Sequence, residues 1–247
     1  MSFYDHIADE YTRITDSPTR RGAAETFIQA FLQRFGPKSA IDVACGTGLY
    51  ALSLAAAGVE TVGADISRGM LDHAKRQADR ENLSLDWIQA PMQSLAEESD
   101  RTFDAVLCMG NSIPHLLDET DLDRTLAAFA GLLNPRGVLV IQLLNYEKLL
   151  RQGDRIVGIN AESKSEYIRF YDFLDGLVRF NILTIRWTGD GPVHELTGTL
   201  LHPWTAGDFQ SRLATRGFTD VKLLSDLDFS PFAPAASDTL MVVARKP

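Results

Sequence analysis

Apolar positions along the chain follow two regimes. Up to about residue 144, short apolar runs alternate with segments whose apolar residues recur at helical spacing. Between 155 and 201 they alternate with polar ones. The first regime predicts buried parallel strands joined by amphipathic helices, and the second predicts antiparallel strands. In chain order, residues 3–35 read as two leader helices. Phe3, Tyr4, Ile7 and Tyr11 mark the first and Ser17-Pro18 the break. Ala24, Phe27, Ile28, Phe31 and Leu32 mark the second, which ends before Gly36-Pro37. Strand 40–44 follows, then a helix from Leu49 closed by Gly58. Next come strand 59–65, a helix from Ser67 to Arg80 with Ser67 as its N-cap, and strands 84–89 and 103–109. A helix over 121–133 ends at Asn134-Pro135-Arg136-Gly137, and strand 138–144 follows. This βα alternation predicts an α/β fold, a doubly wound and mostly parallel sheet with right-handed crossovers.

In the second regime Asp175-Gly176 and Gly189-Asp190-Gly191-Pro192 are turn signals between alternating runs such as Val178, Phe180 and Ile182. They predict an insertion over 155–201 of three or more antiparallel strands, a lid on the cleft at the carboxyl ends of the parallel strands. Arg169, Tyr171 and Arg179 lie on it as candidate substrate contacts, each against the plainer alternative of a solvated strand face. A helix from Thr205 or Ala206 to Arg216, a strand over 221–224, a loop with Pro231 and Pro234, and a last strand over 239–244 complete the chain.

The chemistry concentrates in Ala40-Ile41-Asp42-Val43-Ala44-Cys45-Gly46-Thr47-Gly48. It reads as buried strand, tight glycine turn and helix start, with free N–H groups and room for a ligand at the backbone. A phosphate-binding loop would need a Gly-Lys-Ser/Thr ending, which is absent. Gly46, Gly48 and Ala51 satisfy a dinucleotide fingerprint. S-adenosylmethionine is the third candidate ligand. Asp42, at the carboxyl end of the strand, would accept from its ammonium group and would repel a pyrophosphate. Asp65, at the tip of the next strand, stands where an acid accepts both hydroxyls of a ribose, a feature shared with NAD enzymes.

Three blocks in order carry a family resemblance: Asp42 to Gly48, then Asp65, then Phe103 to Ser112. They resemble class I S-adenosylmethionine-dependent methyltransferases. The last block, continued by Ile113-Pro114-His115-Leu116, is similar to the glycine N-methyltransferase and glycine/sarcosine methyltransferase group. The resemblance spans roughly residues 1–150. It implies a seven-stranded Rossmann-like sheet whose last strand inserts antiparallel, in one domain over 1–247. It also implies S-adenosyl-L-methionine as cofactor, held by Tyr11, Arg20, Asp42, Ala44, Gly46, Thr47, Gly48, Asp65, Ile66, Met70, Pro91, Met92, Met109 and Gly110. Asn111 and His115 would be the groups nearest the reaction and, with Arg169 and Tyr171, would touch the substrate. The family often carries an acid near Pro91-Met92, and this chain does not. Core packing is the ordinary alternative for Tyr11, Met70 and His115, and a solvated helix face for Arg20.

Composition narrows the partners. The chain has 247 residues, 45% hydrophobic and 23% charged, with a net charge of −9. That balance argues for a small-molecule methyl acceptor over nucleic acid, which needs a basic footprint. Cys45 and Cys108, the only cysteines, stand at predicted strand ends and read as buried small residues, not as a disulfide. The polar amino terminus and the lack of a long apolar run predict a cytoplasmic protein without a membrane span. The five histidines show no metal spacing, and no Asn/Asp-Pro-Pro-Tyr/Phe motif of the DNA and protein-glutamine methyltransferases occurs. Methyl transfer to a small amine is the favoured reading. A hydroxyl- or carboxylate-directed methyltransferase and an NAD-dependent oxidoreductase are the alternatives. Oligomeric state is left open.

Overall fold

The structure, a computed structural model, describes residues 17–162 and 164–247. The first leader helix, with Tyr4 and Tyr11, lies outside the described residues. The second leader helix is α1 (Pro18–Phe35), opened by the Ser17 side chain on Arg20 N–H and closed by Gly36 at a φ of 57°. After it come β1 (Ser39–Val43), α2 (Leu49–Ala56), β2 (Glu60–Asp65), α3 (Arg68–Glu81), β3 (Asp86–Gln89) and β4 (Phe103–Cys108). A single 3-10 turn, Ile113–His115, leads to α4 (Glu119–Leu132), β5 (Leu133–Leu144) and α5 (Tyr146–Gln152). Four strands follow, β6 (Ile156–Glu162), β7 (Ser165–Phe173), β8 (Val178–Thr188) and β9 (Gly191–Leu201). Then come α6 (Ala206–Thr215), β10 (Thr219–Leu224) and β11 (Thr239–Arg245).

Seven strands form one sheet in the order β10-β11-β5-β4-β1-β2-β3. All its pairings are parallel except those of β11, which runs antiparallel to β5 and to β10. The chain winds outward from β1 to β3, then returns to β4 on the other side of β1. Ligands of such sheets bind at that switch, outside the carboxyl ends of the strands. Alternate residues of β5 explain the two cores. Leu139, Ile141 and Leu143 face a cluster with Leu122, Leu126 and Phe129 of α4. Val138 and Val140 face Phe27, Ile28 and Phe31 of α1.

Strands β6 to β9 form a separate antiparallel meander of four strands, within the expected three or more. Its root enters the main core through Tyr171, Val178 and Leu201. The β9 end docks on the 3-10 turn, where His202 N–H donates to Pro114 O at 2.7 Å and Trp204 Nε1 donates to Leu116 O at 3.0 Å.

Three elements depart from the sequence reading. Asn134-Pro135-Arg136-Gly137 does not separate α4 from a later strand. Leu133 already pairs with Phe103, and the register shifts before Ala105 meets Val138, with Arg136 at a φ of 64°. The segment is a bulge inside β5, which lets proline sit in a strand. The third strand starts at Asp86, because Asn82 caps α3 in a left-handed conformation and Leu83 N–H still donates to Ala78 O. Helix α5 has no counterpart in the sequence reading. Two turns are too short for apolar periodicity to show, although Asn145 caps it through Lys148 N–H.

Candidate functional site

The turn after β1 is shaped by three left-handed residues in five: Ala44 at a φ of 55°, Gly46 at 55° and Gly48 at 87°. Gly48 needs its missing side chain, since a Cβ there would meet Ala74 Cβ at 3.1 Å and the Leu52 side chain at 3.4 Å. At Gly46 a Cβ would meet nothing within 4 Å among the described residues. Helix α2 starts directly behind, with Gly48 as its cap and Thr47 half-buried in the turn.

Two acids brace the turn. Asp42 is buried, and its Oδ2 accepts from Ala51 N–H at 3.0 Å in the first turn of α2. Burial pushes its carboxyl up to about 8; the Ala51 N–H opposes the shift and the charge of Asp65 adds to it. Asp65, at the β2 tip, accepts from Gly46 N–H at 2.8 Å and from Ser67 N–H at 2.8 Å. Ile66 follows with 52% of its surface exposed, a bare apolar side chain beside these polar groups. Met70 is buried in the first turn of α3, with its N–H on the Ser67 hydroxyl. Beyond β3, Pro91 is exposed and Met92 packs half-buried on the core.

On the other side of β1, the chain leaves β4 through buried Met109 and then Gly110 and Asn111, at φ 74° and 68°. Among the described residues, nothing lies within 4 Å of a would-be Cβ at Gly110 either. Gln142 of β5 secures this corner, its side-chain oxygen accepting from Gly110 N–H at 2.8 Å and its backbone oxygen from Asn111 N–H at 3.1 Å. The Asn111 carboxamide is gripped at both ends. Its Oδ1 accepts from Leu144 N–H at 2.9 Å, and its Nδ2 donates to the Tyr146 hydroxyl at 3.1 Å. Tyr146 is buried, which holds its hydroxyl well above the usual phenol value.

His115 ends the 3-10 turn that follows. Its ring is largely removed from water, and burial pulls its pKa down to about 4. Tyr171 of β7 is buried with its ring 5.7 Å from that of Phe180. Arg169 lies two residues along the same strand face. Its Nη2 reaches Asn160 Oδ1 at 3.2 Å, and its buried Nε has no hydrogen-bond partner among the described residues. Arg20, in the first turn of α1, is exposed, and its charge bears on Tyr50 of α2.

The structure therefore brings Asp42, Ala44, Gly46, Thr47, Gly48, Asp65, Ile66, Met70, Met109, Gly110 and Asn111 to the carboxyl ends of three adjacent strands. Pro91 and Met92 follow β3, the next strand out. Arg169 and Tyr171 belong to the second sheet. Tyr11 lies outside the described residues. Gln142 and Tyr146 were missed in the sequence. Gln142 had a signal, as a polar residue in the apolar run 138–144; Tyr146 had none, because it stands in the short helix that periodicity does not reveal.

An open glycine cradle, an acid at the β2 tip and a bare apolar side chain beside it suit a nucleoside ligand with a cationic tail. A methyltransferase domain model matches residues 40–137. The chain belongs to the class I S-adenosylmethionine-dependent methyltransferases. Its relatives include the glycine/sarcosine N-methyltransferase of Parasynechococcus marenigrum (strain WH8102), 29% identical over 234 residues, covering 92% of this chain and 79% of that protein. The enzyme of the same name from Halorhodospira halochloris is 32% identical over 181 residues, covering 72% and 67%. The crystal structure of an S-adenosylmethionine-dependent methyltransferase from Clostridium acetobutylicum ATCC 824 shares the fold, at a TM-score of 0.81 with 18% identity, over 98% of this chain and 97% of that one. The similarity thus runs well past the expected limit near residue 150. The nicotinamide and oxygen-directed alternatives are not favoured.

Proposed function

We propose that the chain transfers a methyl group from S-adenosylmethionine to the nitrogen of a small amine in the cleft between the carboxyl ends of the seven-stranded sheet and the second sheet. The observation that carries this reading is the rigid Gly110-Asn111 corner, its carboxamide held by Tyr146 and Leu144, with His115 four residues further along the chain. The corner presents a fixed polar group, and the histidine is too weak a base to ionise a hydroxyl acceptor. An amine needs only to arrive unprotonated.

The residues divide the work. Asp65 accepts from the ribose hydroxyls, Gly46 lets the ligand approach the turn, and Ile66, Met70, Pro91 and Met92 flank the base. Ala44, Thr47 and Gly48 shape the turn beneath the cationic tail, Asp42 anchors that turn through Ala51 N–H, and Arg20 pairs with the carboxylate of the tail. Met109 and Gly110 wall the methyl side. The cofactor supplies an activated sulfonium methyl. Asn111, fixed by Tyr146 and Leu144, orients the acceptor with its lone pair in line. His115 and Tyr171 exclude water and shape the acceptor space, and Arg169 on the second sheet, acting as a lid, meets an acidic group of the acceptor. Orientation and desolvation supply most of the rate.

Glycine and sarcosine, in the names of the relatives, head the acceptors to try, followed by other small amines. The net charge of −9 supports a small acceptor without nucleic acid, and the free buried thiols of Cys45 and Cys108 suit a reducing cytoplasm. The test is calorimetric titration with S-adenosylhomocysteine and with NAD, then an amine panel scored by S-adenosylhomocysteine release. Homocysteine-product binding with turnover of an amine supports the reading. Turnover confined to hydroxyl acceptors would overturn it.

A further inference from the structure

Beyond Leu201 the chain passes from β9 to α6 through His202, Pro203 and Trp204, and this short strap is tied to the turn that carries His115. His202 N–H donates to Pro114 O at 2.7 Å, and Trp204 Nε1 donates to Leu116 O at 3.0 Å. Those carbonyls belong to a segment braced along its length. The Ser112 hydroxyl donates to Met109 O at 2.9 Å, His115 N–H to Ser112 O at 3.1 Å and Leu116 N–H to Ile113 O at 3.0 Å. Trp204 itself is buried, and the His202 ring stacks on its indole with 3.7 Å between centroids. The Arg212 guanidinium stands 5.9 Å from the same ring and pairs with Glu119 at 3.1 Å, at the start of α4. An indole packed on its face and bonded at its edge holds its acceptor in one place.

The strap leads directly into the second sheet. Leu201 pairs with Val178, and Val178 with Phe173. The next rungs on the same face are Thr199, Phe180 and Tyr171, then Thr197, Ile182 and Arg169. One ladder thus runs from the strap to Tyr171 and Arg169, over about 13 Å at about 3.3 Å per residue. We propose that Trp204 is a positioning residue for methyl transfer. Its bond to Leu116 O sets the second sheet against the turn carrying His115, and so fixes the acceptor space that Tyr171, Arg169 and His115 shape. The acceptor part of this inference rests on the function proposed above; the coupling of sheet to turn rests on the strap alone. None of these bonds involves the turn after β1, so the effect falls on the acceptor and spares the cofactor.

Trp204→Phe in the full chain tests this, because it keeps an aromatic ring and removes the donor. In hydrogen exchange the amides of 113–116 and of 197–201 are expected to exchange at least about tenfold faster together, with those of 44–51 unchanged. A uniform rise along the chain, a rise in one of the two segments alone, or no rise overturns the proposal. Kinetics with the panel amine that wild type methylates read the consequence. The acceptor KM is expected to rise about tenfold while S-adenosylhomocysteine affinity stays within about twofold. An unchanged KM, even at a lower melting temperature, overturns the proposal, since a purely structural role lowers the amount of folded enzyme and not its hold on the acceptor. A wild type that methylates no amine contradicts the proposed function, and the exchange result still decides the coupling. Should Trp204→Phe fail to fold, His202→Ala decides, because it strips the stacked ring from the indole. The same paired loosening of 113–116 and 197–201 supports the proposal, and its absence overturns it.

Discussion

Asp65 Oδ2 accepts from Gly46 N–H at 2.8 Å, and this bond joins the tip of β2 to the turn after β1. Through Ser67 the same carboxylate also holds the entry to α3. Asp65→Ala leaves two inward donors without an acceptor. We expect a loss of about 2–3 kcal/mol in urea unfolding. We also expect S-adenosylhomocysteine to bind at least about tenfold more weakly, equivalent to about 1.4 kcal/mol. Unchanged affinity in calorimetry would remove Asp65 from the cofactor site.

Asp42 makes stability pH-dependent. Its carboxyl rises from the usual 3.8 to about 8 in the folded chain. The folded state therefore holds more protons than the unfolded state between those values, and the stability this gives is present in full below pH 4 and lost as pH rises through 8. The slope is at most about 1.4 kcal/mol per pH unit. His115 acts in the opposite sense between its folded value of about 4 and its usual 6.5. The wild-type-minus-variant difference for Asp42→Asn isolates the carboxyl. Melting temperatures from pH 5 to 9 should show the variant gaining on wild type as pH rises. A difference independent of pH would refute the assignment.

Ala44 holds a φ of 55°, where a Cβ is disfavoured. Ala44→Gly relieves that strain, and we expect a gain of about 1 kcal/mol offset in part by the entropy of the unfolded glycine. Gly48→Ala adds a Cβ at 3.1 Å from Ala74 Cβ in the same conformation and should lower both stability and cofactor affinity. Chemical unfolding of the two variants should give opposite signs.

His115 stays neutral through the range in which the enzyme is assayed, since its pKa lies near 4. The profile of kcat/KM against pH should therefore rise with deprotonation of the amine substrate and show no inflection near 6.5. A limb near 6.5 that vanishes in His115→Gln would contradict this.

Tyr146→Phe removes the hydroxyl at 3.1 Å from Asn111 Nδ2 while keeping the buried ring. With the carboxamide held only at its oxygen, we expect kcat to fall about tenfold. Affinity for S-adenosylhomocysteine should stay within about twofold, since the cost falls on orientation alone. An equal loss in cofactor affinity would place Tyr146 in the cofactor pocket.

Much of the fold was legible in the sequence because its signals are local. Ser17-Pro18 opens α1 where the break was expected, Ser67 caps α3, and Asp175-Gly176 turns β7 into β8. The glycine turn and Asp65 were legible for the same reason, since the residues that bend the chain are those that shape the site. The bulge at 134–137 was not, because proline and glycine signal a break equally well when the strand has already begun. Helix α5 was hidden by its length.

By itself the sequence determined the alternation of strands and helices, the antiparallel second sheet and the residues of the turn after β1. These follow from side-chain periodicity and backbone preference, which act over a few residues. Only the tertiary structure decided that Asp65 would grip Gly46 and that Tyr146 and Leu144 would clamp Asn111. It alone decided which face of the β6–β9 sheet would be buried. The alternating pattern there carries apolar residues on both faces, so no local rule chooses between them. The choice belongs to whichever face meets the rest of the core.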